Sequence, residues 1–146
     1  MSLRELAEND ESKEKKKHTL SPKQSRMIRM KGYRAERELV RKLRKAGFNS
    51  VRIPVSGPSS QPLPDLFATK KTRILAFEVK APNADRVYFR KNQVSKLFEF
   101  LDMFEMYKNR IPVLAAKFPY KWVYRKVETV DNFVVLKDDG SNIIIK

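Results

Sequence analysis

Asp65, Glu78 and Lys80 stand in or beside the apolar strand-like runs of LPDLFATKKTRILAFEVKAP, residues 63–82. A charge on a buried strand costs free energy unless something pairs it. The pattern is Pro-Asp, twelve residues, then Glu-x-Lys. Two adjacent strands joined by a tight turn bring Asp65 beside Glu78. Carboxylates forced together repel, and one pKa rises unless a cation sits between them. A hard divalent cation relieves that repulsion, with carboxylates and backbone carbonyls as its preferred ligands. Lys80, two residues on, shares the strand face of Glu78. There it could hold an attacking water or neutralise a phosphate in the transition state. These parts suffice for metal-assisted phosphodiester hydrolysis. Lys80 would serve as a general base only with a strongly depressed pKa. Taken alone, Glu-x-Lys reads first as a structural ion pair between Glu78 and Lys80 or an arginine; the preceding Pro-Asp at this spacing brings the two readings level.

Composition narrows the chemistry. The 146 residues suit one domain, and 32 Lys and Arg against 17 acids leave a formal net charge of +15. Such an excess points first to a polyanion, usually nucleic acid, and second to an anionic membrane surface. No apolar run is long enough to span a bilayer, and no apolar signal-peptide core opens the chain, so a cytoplasmic, nucleoid-associated location is expected. There is no Cys, and the single His, His18, lies in a charged segment. Disulfides, thiolate zinc sites, a serine–histidine triad and a multi-histidine metal site are excluded within one chain. Any metal must be held by oxygen, which favours Mg²⁺ or Mn²⁺.

Several elements must position the three charges. Residues 1–20 are expected to form a flexible charged tail, where Lys13 and Lys15, Lys16 and Lys17 are a solvated run or phosphate contacts. Residues 21–146 form the domain. Ser21 and Pro22 read as a helix N-cap and first helical residue. Residues 31–48 are strongly helical, with Leu39, Val40, Leu43 and Ala46 as the inner stripe and Gly47 as the stop. Glu36 falls on the inward face of that helix. Strands are expected at 50–55, 65–69, 73–81, 111–118, 122–128, 132–137 and 142–146, with a hairpin turn at 138–140. Along 73–81, Ile74, Ala76, Glu78 and Lys80 share one face, and Leu75, Phe77 and Val79 the other. A second helix is expected over 89–109, lined by Val94, Leu97, Phe98, Leu101, Phe104 and Tyr107, with Gln93 on the same side. The expected fold class is α/β, a mixed central β-sheet flanked by helices.

The runs KGYRAERELVRKLRKAGFNSVRIPVSG, LPDLFA, ILAFEVKA and VYFRKNQVSKLFEF, in that order, carry a resemblance. The chain resembles the archaeal Holliday junction resolvases, of the restriction-endonuclease-like nuclease superfamily, over about residues 31–117. Gly32, Glu36 and Arg37, Arg52, Pro54, Ser56 and Gly57, Pro64 and Asp65, and Glu78 and Lys80 fit the family pattern. Each piece is common; the ensemble is specific. The resemblance implies that Asp65 and Glu78 ligate Mg²⁺, with the Val79 carbonyl as a further ligand, and that Lys80 orients water or stabilises the transition state. Glu36 would complete the acidic metal site, directly or through a water. Ser56 matches a loop serine that supports cleavage, and equally suits a turn-capping role. Gln93 corresponds to a glutamine near the metal in related nucleases, though it reads somewhat more readily as a polar residue opening a helix. Family members often carry Lys or Arg after the Ser-Gly, whereas SGPSSQPLP has none, which shifts phosphate contact to Arg34, Arg37, Arg52, Arg86 and Arg90.

The function this resemblance implies is a homodimeric endonuclease of DNA recombination and repair. It would resolve four-way DNA junctions by paired nicks, leaving 5′-phosphate and 3′-hydroxyl ends. Two symmetric nicks require two sites, hence two-fold symmetry. Phe100, Met103, Met106, Trp122 and Tyr124 are candidates for the apolar dimer contact, unless they are simply core. Rival readings are another nuclease of this fold acting on nicks, flaps or duplex, and a non-catalytic DNA-binding protein with structural carboxylates.

Overall fold

The computed structural model describes residues 19–54 and 60–146. Ser56 and the tail up to residue 18 lie outside the described residues.

Helix α1, Pro22–Lys45, begins at Ser21, whose side chain accepts from the Gln24 N–H while Gln24 Oε1 accepts from the Ser21 N–H. This reciprocal pairing satisfies two donors that a helix start leaves free. The helix therefore starts at the expected cap and runs unbroken through residue 31, where the strong periodicity begins. Leu39, Val40 and Leu43 face inward, and Gly47 takes a left-handed φ of 91° after the last turn.

Strands β1 (Asn49–Arg52), β2 (Leu66–Lys70) and β3 (Arg73–Lys80) form an antiparallel meander. The β2–β3 turn requires a left-handed residue, and Lys71 supplies it with φ 54°. A short strand, β4 (Arg86–Phe89), precedes helix α2, Lys91–Asp102. Then follow β5 (Asn109–Phe118), β6 (Lys121–Lys126) and β7 (Phe133–Leu136). The main sheet has five strands in the order β1-β2-β3-β5-β6, with β3 and β5 parallel and the other neighbours antiparallel. A second, two-stranded sheet pairs β4 with β7. This is the mixed sheet flanked by helices that the sequence pattern implies.

Strand β3 is central, and its two faces feed two cores. Leu75, Phe77 and Val79 pack with Leu39, Leu43 and Leu66 under α1. Ile74 and Ala76 pack with Val94, Leu97, Leu101 and Leu114 under α2, joined by Phe89 and Val135 of the small sheet. The strand alternation read from sequence is the one observed.

Three expectations need correction. The second helix is shorter than 89–109, because Phe89 is committed to β4 and the helical bonds stop at Asp102; Phe104 and Tyr107 still pack on the core from the turns beyond. Residues 142–146 are not a strand. Instead Ser141 Oγ accepts from the Tyr124 N–H and Asn142 bonds Tyr124 and Lys126 through backbone and side chain, so these two residues meet the free edge of β6 where a paired strand would stand. Residues 138–140 consequently close no hairpin; Asp139 Oδ2 accepts from the Leu136 N–H and ends β7 locally.

Candidate active site

Asp65 immediately precedes β2. Its N–H donates to Phe77 O at 3.0 Å and its carbonyl accepts from Ile53 N–H at 2.8 Å, so its backbone is fixed between β3 and the end of β1. Leu66 pairs with Phe77, and Asp65, bonded to that same Phe77 carbonyl, lies just past the end of the ladder beside Glu78. The side chain is fixed as well: Asp65 Oδ2 accepts from Val79 N–H at 2.7 Å. The carbonyl of Phe77 and the N–H of Val79 thus hold Asp65 against the residue between them, Glu78.

The electrostatics follow from that closeness. Glu78 is raised from 4.5 to about 8, chiefly by burial and next by the Asp65 charge, with Lys80 and Lys96 opposing the rise. Asp65 is raised from 3.8 to about 6, again chiefly by burial, with the Val79 hydrogen bond opposing and the Glu36 charge adding. Two partly buried acids that disfavour a second negative charge form a donor set suited to a hard cation. The backbone carbonyl of Val79 is a third oxygen donor on the same strand.

Lys80 is partly buried at the end of β3. Its Nζ donates to Tyr88 O at 2.6 Å and lies 5.3 Å from the Phe89 ring centroid, so β4 fixes its direction. Burial lowers its pKa, while the Glu78 charge works the other way and Arg90 adds to the lowering.

Glu36 is buried on the inward face of α1, as its spacing requires. Its carboxylate is paired with the Arg52 guanidinium, which also sits over the Tyr33 ring at 4.6 Å from the centroid. Glu36 is close enough to act electrostatically on both Asp65 and Glu78. It does not join them in a cluster: no group of three or more His, Cys, Asp or Glu able to hold a metal occurs among the described residues. Arg52 is therefore engaged with an acid of the site rather than open to solvent. Arg34, Arg37, Arg86 and Arg90 are exposed. Gln93 is turned to the helix start, where its Oε1 accepts from the Arg90 N–H at 3.0 Å.

Three features escaped sequence reasoning. Lys96 acts on Glu78 from one turn into α2, a tertiary proximity that no local pattern signals. Tyr33 backs Arg52. Arg41 and Arg44 join Arg37 and Arg52 in a shallow groove of about 240 Å³ between α1 and β1. The arginine repeat along α1 was visible, but its convergence with β1 was not.

A family profile described as archaeal Holliday junction resolvase (Hjc) matches residues 27–142. The chain belongs to the archaeal Holliday junction resolvase family. Among similar proteins is the crossover junction endodeoxyribonuclease Hje of Saccharolobus islandicus, 47% identical over 116 residues that cover 73% of this chain and 84% of the relative. A crossover junction endodeoxyribonuclease of Sulfolobus islandicus rod-shaped virus 1 is 46% identical over 77 residues, covering 53% of this chain and 64% of the relative. The solved structure of Archaeoglobus fulgidus Hjc, titled a Holliday junction resolvase from an archaeal hyperthermophile, matches with a TM-score of 0.62 and 31% identity, covering 73% of this chain and 88% of that one. The resolvase fold is thus the frame in which Asp65, Glu78 and Lys80 meet. No helix among the described residues is long and apolar enough to cross a membrane.

Proposed function

We propose that this resolvase-family chain is an endodeoxyribonuclease that cuts four-way DNA junctions, as a homodimer and with Mg²⁺ or Mn²⁺. The observation that carries the reading is the hold on Asp65 beside Glu78, through the Phe77 carbonyl and the Val79 N–H, with Lys80 directed alongside by β4. Asp65, Glu78 and the Val79 carbonyl would hold the cation. Bound there, it would polarise the scissile phosphate and lower the pKa of an attacking water. Lys80 would lie against the phosphate and offset its growing charge. Glu36 would act from the next layer, through its field on both acids and through Arg52. Arg34, Arg37, Arg86 and Arg90 would contact phosphates and follow junction shape rather than base sequence.

Paired nicks support a two-fold dimer. Of the apolar candidates, Phe100 belongs to the monomer's core, against Phe67 and Phe104. Trp122 stacks on Tyr124 and donates to Glu38. Met103 and Met106 are 62% and 89% exposed and are the better dimer contacts. Action on DNA would place the protein in the cytoplasm with the nucleoid.

Competition tests the substrate. A labelled immobile junction should be cut in Mg²⁺ despite excess linear duplex, nicked duplex or flap. Equal competition by duplex would favour a general nuclease of the same fold, and no cleavage of any substrate would favour a binding protein.

A further inference from the structure

Helix α1 is longer than its packing requires. Its buried residues begin at Ala35, so residues 22–34, about three and a half turns, precede the buried part of the helix, and those before Lys31 stand ahead of its first bond to the body. The first part of this overhang also precedes the family match, which starts at residue 27. It carries exposed apolar side chains: Met27, Ile28 and Met30 are 61%, 56% and 44% accessible. Lys23, Arg26, Arg29, Lys31 and Arg34 alternate with them, and no acid occurs from Pro22 to Arg34. With the positive end of the helix dipole added, this is a cationic rod with apolar tips.

The overhang is aimed. Lys31 Nζ bonds Asn83 Oδ1 and, at 3.4 Å, Pro82 O, tying the helix to the loop that follows Lys80. Arg29 lies seven residues before Glu36, on the same helical face as that acid, and Ile28 seven before Ala35. The arm therefore starts beside the active site and leads away from it. Met27 is nine residues from Glu36, about 13 Å at 1.5 Å per residue. That span is about four base pairs at roughly 3.4 Å each.

Met27 and Met30 lie on one side of the helix and Ile28 on another, with cations between them. A helix docking flat on a protein would gather its apolar residues on one face. Cations flanking separated apolar tips suit insertion beside bases, with phosphates held on either side. A four-way junction offers such bases at its branch point, where stacking is interrupted; a linear duplex does not. Resting on the junction-cleaving reading above, we infer that the α1 overhang is a branch-point wedge: Met27, Ile28 and Met30 pack on exposed base faces, and Lys23, Arg26 and Arg29 hold the flanking phosphates.

The test uses the full chain and an immobile junction carrying 2-aminopurine at the branch point, with Ca²⁺ in place of Mg²⁺. Wild type should raise the fluorescence on binding. M27S/I28S/M30S should lose that rise and about tenfold in junction affinity, with its salt dependence unchanged. K23Q/R26Q/R29Q should reduce the slope of log affinity against log salt by about 2.7, at roughly 0.9 per phosphate. Unchanged thermal midpoints would verify that both variants are folded. Retention of fluorescence and affinity by the serine variant overturns the inference. So does a change in the serine variant's sedimentation mass with the fluorescence rise intact, which assigns this face to a second copy. A wild type that neither binds nor cuts junctions overturns the resolvase reading itself, an outcome distinct from both.

Discussion

Asp65 Oδ2 accepts a 2.7 Å hydrogen bond from Val79 N–H, so the acid preceding β2 is locked to the backbone one residue past Glu78. This bond holds two carboxylates together in a partly buried place without making either fully comfortable as an anion. The site is thereby built before any substrate arrives, at a cost the surrounding β-meander must bear.

That cost has a pH signature. Folding raises Asp65 from 3.8 to about 6 and Glu78 from 4.5 to about 8. A raised folded pKa gives stability that is full below about pH 4 and is lost as pH climbs through both values. The metal-free protein should therefore lose several degrees of thermal midpoint between pH 5 and pH 9, and Glu78→Gln should lose less. Parallel losses in the two proteins would show that these acids do not drive the effect.

Cation binding should reverse the same strain. A divalent ion held by Asp65 and Glu78 needs both ionised, so binding near pH 7 should release protons. Calorimetry in two buffers of different ionisation enthalpy measures this directly. About one proton released per Mg²⁺ or Mn²⁺ is expected, chiefly from Glu78, and almost none in Glu78→Gln.

Lys80 separates chemistry from binding. Lys80→Met removes the charge but keeps the length of the stem. Single-turnover cleavage should fall at least about hundredfold, the scale of losing one transition-state donor. Junction affinity in Ca²⁺ should change far less. The 2.6 Å bond to Tyr88 O is also lost, at about 1 kcal/mol of stability, because that carbonyl belongs to an exposed residue.

The Glu36–Arg52 pair makes a prediction about stability. Both side chains are mostly buried, at 11% and 20% exposure. Arg52→Gln leaves an acid facing two others and should cost about 3 kcal/mol. Adding Glu36→Gln should recover part of that loss. A double-mutant cycle by urea unfolding checks it, and additive losses would show that the pair is not coupled.

Much of this arrangement was legible because strand and helix periods are strict. Alternation along 73–81 set Glu78 and Lys80 on one face, and helical spacing turned Glu36 inward. What stayed hidden depends on contacts distant in sequence. Nothing local shows that Arg52 reaches Glu36, that Lys96 approaches Glu78, or that Gln93 serves the backbone of Arg90. The end of the second helix was misjudged for a related reason. Phe104 and Tyr107 keep a helical spacing of apolar residues although their backbone has left the helix, since packing rewards where a side chain lands. Residues 142–146 misled in the opposite sense: a β-branched run that covers its sheet through Asn142 rather than by pairing.

The most direct measurement is cleavage of a labelled immobile four-way junction in Mg²⁺ by wild type and by Glu78→Gln. Paired, symmetric nicks by wild type and a loss of at least about a thousandfold in the variant, with junction binding kept, are the predicted result. Absence of paired nicks from wild type, or undiminished cleavage by Glu78→Gln, would contradict the account.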